Sequence, residues 1–196
     1  HMINNTPAGF LSDREDIFAW LAFCLATGQR GISCSNLCWG DLSGFHSEKG
    51  YWQFTVLFRR TKGDYAWCHK QKLEGKLETP GANPLYWLDL AWKQTCNSKT
   101  ASIVTDDLEN SKFSKTFVFR CGKPLKILGA TEFRECGESE YYRRQLEKIA
   151  VYNGYPPGFF TNHSTRSGMQ ITAYINLTHG KNAHTSEGAW KLIELY

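Results

Sequence analysis

At 196 residues, with 41% hydrophobic and 14% aromatic content, the chain is long enough to bury one real core and too apolar to be disordered. It contains no apolar run long enough to span a membrane and no signal peptide. A net charge of +4 and a pI near 8.6 permit an anionic partner without requiring one.

His1 and Met2 read as a cloning remnant, and residues 3–196 are expected to form a single domain. The first element is a helix in LSDREDIFAWLAFCLATG. Ser12 and Glu15 make a capping box, Ile17, Trp20, Leu21, Cys24 and Leu25 recur at helical spacing, and Gly28 can end the helix in a left-handed turn. A second, short helix fits residues 33–42. In YWQFTVLFRR, Trp52, Phe54, Val56 and Phe58 alternate with Gln53, Thr55 and Leu57, which is strand periodicity. TKGD is a turn and YAWCHKQKL the returning strand, so residues 51–73 are expected to form a hairpin with Lys62 at its tip. A helix starts near Pro84 and runs through NPLYWLDLAWKQTC. Residues 97–137 read as irregular, with one short strand at TFVFR and a loop from Cys121. ESEYYRRQLEKIAVYNGY is a strong helix stopped by Asn153 and Gly154. Two more helices are expected, in TRSGMQITAYINLTHG and TSEGAWKLIELY. The fold class expected is α+β, mainly helical, with a small antiparallel hairpin or sheet at one edge.

Seven cysteines are present: Cys24, Cys34, Cys38, Cys68, Cys96, Cys121 and Cys136. None forms a C-x-x-C pair, so they are expected to be reduced thiols of an intracellular protein and not metal ligands.

Basic residues cluster at Arg59, Arg60 and Lys62, at Lys70, Lys72 and Lys76, and at Arg143 and Arg144. Phe58, Tyr65, Trp67, Tyr141 and Tyr142 are interleaved with them. Solvated faces would explain the charge alone. NHSTRSG adds a more specific signal. His163 and Arg166 stand three apart near the start of a helix, where free N–H groups and the helix dipole favour an anion. Arg166 offers a planar fork for two phosphate oxygens, and His163 can donate or carry a proton near neutral pH. A cap histidine beside a surface arginine is the bland explanation of the same residues, and H-x-x-R alone is common.

Residues 25–42, LATGQRGISCSNLCWGDL, narrow the choice. Thr27, Gly28, Arg30, Leu37, Trp39 and Asp41 resemble the first conserved box of the tyrosine recombinases, the phage-integrase family. The family then carries a β-hairpin with a lysine at its tip, matched by RRTKGDY and Lys62, and later the H-x-x-R motif, matched by His163 and Arg166. The resemblance runs from about residue 12 to 196, with 97–137 matching only in place.

The resemblance implies a tyrosine-recombinase catalytic-domain fold, a double-stranded DNA partner, and cleavage and rejoining of a DNA strand through a 3′-phosphotyrosine. It implies no metal and no cofactor. Arg30, Lys62, His163 and Arg166 would be catalytic, and Arg59, Arg60, Lys70, Lys72, Arg143 and Arg144 would bind DNA. The family forms multimers on DNA, and this chain alone is expected to be a monomer. The long insertions resemble eukaryotic mobile-element members of the crypton type, which implies a nuclear location. The alternative is a domesticated, non-catalytic DNA-binding module of chromatin.

Two departures qualify the match. The family places an acidic residue three after the first arginine, where this chain has Ser33. The nucleophilic tyrosine is also unmatched. Ala189, Leu192, Ile193 and Tyr196 form one apolar helical stripe, and Glu187 occupies the position nine before Tyr196 where the family has His or Trp. Tyr196 is therefore expected on a buried face, with the chain ending short of its nucleophile and inactive in cleavage by itself.

Overall fold

A computed structural model describes residues 5–7, 10, 14–58, 69–119, 125–127, 130–132, 139–159, 164 and 178. Helix α1 (Arg14–Thr27) is the axis of the core. The expected apolar stripe understates its burial. Every residue from Ile17 to Cys24 is at most 8% exposed, as befits a helix covered on all sides. Phe18 meets Trp87, Trp20 stacks on Tyr142 at 5.1 Å between ring centroids, and Phe23 touches both Phe58 and Phe119. The Ser12 cap lies outside the described residues.

Helix α2 (Gly31–Ser35) is shorter than the helix expected over 33–42. Leu37, Trp39 and Leu42 are all buried, a spacing that one helix face cannot supply. The backbone instead extends at Cys38, which bridges to Phe117, while Val118 N–H donates to the Leu37 carbonyl and Trp39 N–H to that of Thr116. A 3-10 turn (Trp39–Asp41) then leads into strand β1 (Leu42–Glu48).

The expected hairpin is one part of a three-stranded antiparallel sheet of order β1-β2-β3, with β2 Tyr51–Phe58 and β3 His69–Gly75. β2 and β3 pair from Phe58 opposite His69 to Trp52 opposite Gly75. Phe54, Val56, Phe58 and Leu73 bury one face, in the phase the alternation predicts. β1 escaped the sequence reading because Leu42 is its one buried residue, Ser43 and Phe45 are half-buried, and the rest of the strand is exposed. At Gly75 a side chain would run into Leu85 and Asn83, so the glycine lets the sheet meet the next helix closely.

That helix, α3 (Pro84–Cys96), begins with Pro84 at its first turn and ends at Asn97 in the left-handed region. It packs along α1. Residues 97–119 are irregular, as expected, but tied down: Asp106 accepts from Trp92 Nε1 at 2.7 Å and Asp89 from Ile103 N–H at 3.0 Å. The strand expected at TFVFR is a single bridge at Phe117. Where a loop is expected, a small hairpin forms from β4 (Leu125–Ile127) and β5 (Ala130–Glu132). Helix α4 (Ser139–Tyr152) matches its expected place and stops at Asn153 and Gly154. Apart from Ser164 and Thr178, the two helices expected after residue 164 lie outside the described residues. Among the described residues no helix is long and apolar enough to cross a membrane. The architecture is mixed, helices around a small antiparallel sheet.

Candidate nucleic-acid interface

The site centres on the turn between α1 and α2. Gly28 takes φ +63°, and its N–H donates to the Cys24 carbonyl. This is a left-handed helix stop that a Cβ would oppose. Thr27 is buried and works in two directions: its hydroxyl donates to the Phe23 carbonyl at 2.8 Å and accepts the Gln29 N–H at 3.3 Å. Arg30 is the N-cap of α2, extended in backbone, and its carbonyl receives the N–H groups of Ser33 and Cys34. The main chain is thus fixed on both sides of Arg30 while its side chain stays exposed. A cation on a turn whose main chain is already fixed can meet an oxyanion without ordering the backbone on binding.

The rest of the motif is structural. Leu37 and Trp39 are in the core. Asp41, 2% exposed, accepts the Cys38 N–H through its carboxylate and caps the 3-10 turn. Ser33 is buried and brings no carboxylate to Arg30. Cys24 lies beside Cys34 in the wall behind this turn, and burial holds the Cys24 thiol well above its ordinary pKa. Cys24, Cys34, Cys38 and Cys96 are free thiols.

Strand β3 joins the same turn. Gln71, on its core-facing phase, donates from Nε2 to the Thr27 carbonyl at 3.2 Å. Sequence reasoning passed over Gln71, because a glutamine between two lysines reads as surface. On the opposite phase Lys70 and Lys72 are exposed, across from Leu57 and Thr55. Lys76 lies over the Tyr51 ring at 4.3 Å. This solvent face is not purely basic. Gln53 bridges His46 on β1 to Glu74 on β3, with contacts of 3.1 and 2.9 Å.

Arg143 and Arg144 are on α4. Arg143 donates from Nε and Nη2 to Glu140 and from Nη1 to Glu147. These carboxylates, Glu140 first, push its pKa up. Arg144 is 60% exposed in its side chain and only 3.8 Å from a Glu140 oxygen. Lys62, His163, Arg166, Arg59, Arg60 and Tyr196 lie outside the described residues. The structure therefore brings Thr27, where the turn towards Arg30 begins, against β3, with Lys70 and Lys72 on that strand's outer phase, and leaves the α4 arginines shared with acidic neighbours.

No protein-family model matches the chain, and no curated protein matches it significantly. Solved structures do. A XerH site-specific recombinase bound to difH substrate in a pre-cleavage complex is 16% identical with a TM-score of 0.50, over 88% of this chain and 39% of that one. The same recombinase bound to palindromic difH substrate, post-cleavage, is 14% identical with a TM-score of 0.50, over 99% of this chain and 46% of that one. The chain spans less than half the length of these recombinases. At such identity the likeness is one of fold, and the fold this chain shares is that of a site-specific recombinase.

Proposed function

We propose that this chain is the catalytic domain of a tyrosine recombinase or transposase that cleaves and rejoins double-stranded DNA. The observation that carries the reading is Arg30: exposed at a turn fixed on both sides, at the position the family motif assigns to its first arginine, in a fold shared with a DNA-bound recombinase. In this reading a tyrosine attacks the scissile phosphate, forming the 3′-phosphotyrosine and releasing a 5′-hydroxyl. The phosphotyrosine conserves the bond energy, so rejoining needs no nucleotide. Arg30 and Arg166 hold the non-bridging oxygens and stabilise charge in the transition state. Lys62 protonates the departing 5′-oxygen, and His163 donates to the phosphate or moves a proton. Arg59, Arg60, Lys70, Lys72, Arg143 and Arg144 contact the DNA backbone. The protein works as a multimer on DNA, in the nucleus if it is a eukaryotic mobile-element enzyme of crypton type.

A second reading draws on Ser33. The position that carries a supporting acid in the family is here a buried serine, as a descendant that binds DNA without cutting it would tolerate. One experiment separates the two. The natural full-length protein is incubated with a suicide duplex whose cut strand cannot be rejoined. The recombinase reading expects a tyrosine-linked adduct on the 3′ side of the break, lost in Arg30→Ala and in Arg166→Ala. Duplex binding with no adduct establishes the binding module instead.

A further inference from the structure

The recombinase reading leaves Arg30 without the acid that would orient it, and the structure contains a group able to replace that support. Gln71 is half-buried on β3, and its Nε2 reaches across to the Thr27 carbonyl at 3.2 Å. Thr27 begins the turn that ends at Arg30. Among the described residues this is the side-chain hydrogen bond that joins β3 to the turn. Its donor is well placed. A carbonyl at a helix C-terminus has no partner within its own helix and carries part of the negative end of the dipole. The other end of the amide, Gln71 Oε1, is buried with no hydrogen-bond partner among the described residues. Leaving such an orphan buried is unfavourable. An apolar residue of similar shape would avoid that cost at this position of a strand, so a packing role alone gives no reason for glutamine.

We infer that Gln71 is the positioning residue of Arg30: its amide latches the α1–α2 turn to β3 and so fixes the arginine relative to the strand that carries Lys70 and Lys72. The inference rests on the recombinase reading for the purpose of Arg30 and adds to it the device that holds the arginine in place. The latch also sets the turn against β3, some forty residues further along the chain. One hydrogen bond thereby joins two parts of the site that are separate in sequence. It acts through the backbone of Thr27, unlike a carboxylate that grips a guanidinium directly.

The test is a double-mutant cycle read through salt dependence. Binding of a duplex oligonucleotide is titrated at several salt concentrations, and log Kobs is plotted against log salt. Each phosphate contact contributes about 0.9 to the slope. Arg30→Ala is expected to lower the slope by about one unit. Gln71→Met, close in length and shape but without hydrogen bonds, is expected to lower it by a similar amount. In the double variant the two losses do not add, because a mispositioned arginine has little left to lose. Gln71→Glu keeps an acceptor and loses the donor, so it is expected to behave like Gln71→Met. Lys72→Ala, on the opposite phase of the strand, is the control and adds fully to Arg30→Ala.

Full additivity of Gln71→Met with Arg30→Ala overturns the latch and leaves the recombinase reading intact. A wild-type slope in Gln71→Glu also overturns it, since the acceptor and not the donor would then matter. An unchanged slope in Arg30→Ala removes Arg30 from the interface, and the recombinase reading and the latch fall together. Should Gln71→Met fail to fold, Gln71→Glu completes the same cycle.

Discussion

Cys24 shows how a residue behind the site leaves a mark on the whole protein. It is fully buried in α1, and burial, reinforced by Cys34, raises its thiol pKa from the ordinary 9.0. The unfolded chain ionises this thiol near its ordinary pKa, whereas the folded chain keeps it neutral. A folded-state pKa above the unfolded one means that the stabilising contribution is complete below the ordinary thiol range. It is lost as pH rises from there towards the folded value. The expected outcome is a fall in unfolding free energy above about pH 9 that approaches 1.4 kcal/mol per pH unit from this one group. Urea titrations from pH 7.5 to 10.5 on the wild type and Cys24→Ala check it. The variant carries a fixed penalty for the lost packing but a shallower decline at high pH. Parallel curves would show that the buried thiol does not set the slope.

Among the elements, α3 and the irregular segment after it show why some of the fold is legible in the sequence and some is not. α1, α3, α4 and the β2–β3 pairing announce themselves, because burial there repeats with a local period that the residue types follow. Trp52, Phe54, Val56 and Phe58 mark a strand without help from elsewhere. β1 does not, since its sequence LSGFHSE meets water along most of its length and is a strand because β2 lies beside it. β4 and β5 are three residues each, too short for any period. Residues 97–119 hold their shape through side-chain acceptors on non-neighbouring residues, which no periodicity encodes. Asp89, 5% exposed, takes the Ile103 N–H on one oxygen and Lys93 on the other, at 3.0 and 2.6 Å. Asp89→Ala leaves a buried amide unpartnered and is expected to cost about 1–3 kcal/mol. Asp89→Asn keeps an acceptor for Ile103 and loses the charge opposite Lys93, whose side chain is 34% exposed, so the expected loss is smaller, about 1 kcal/mol. Urea unfolding measures both. Hydrogen exchange at the Ile103 amide should accelerate in the alanine variant and stay slow in the asparagine one. Equal losses in the two variants would assign the effect to charge and not to the amide.

The site was legible to a different degree at each of its parts. Thr27, Gly28, Leu37, Trp39 and Asp41 are tied to local turns and to the core, so a fixed spacing records their roles and points to Arg30. Gln71 meets the same turn only through the tertiary fold, and nothing in its neighbours gives it away. The basic residues are the hardest to rank, because a count of charges omits what neutralises them. Lys70 and Lys72 are exposed on one phase of β3, whereas Arg143 is held by Glu140 and Glu147. A DNA phosphate would have to displace those carboxylates from Arg143, while neither lysine has an acidic partner among the described residues. Across the whole molecule, the +4 net charge is therefore expected to act unevenly. Duplex affinity should fall steeply with salt, as phosphate contacts require. The Lys70→Ala, Lys72→Ala double variant is expected to lower the slope of log Kobs against log salt by nearly two units, about 0.9 for each contact. Arg143→Ala is expected to change it by a clearly smaller amount and to shift thermal stability instead, through the loss of its helical pairs. Fluorescence anisotropy on a labelled duplex, between roughly 25 and 200 mM salt to span a range in which such slopes are resolved, measures all three proteins. A larger slope change in Arg143→Ala than in the lysine double variant would move the DNA from the face of β3 to the side of α4.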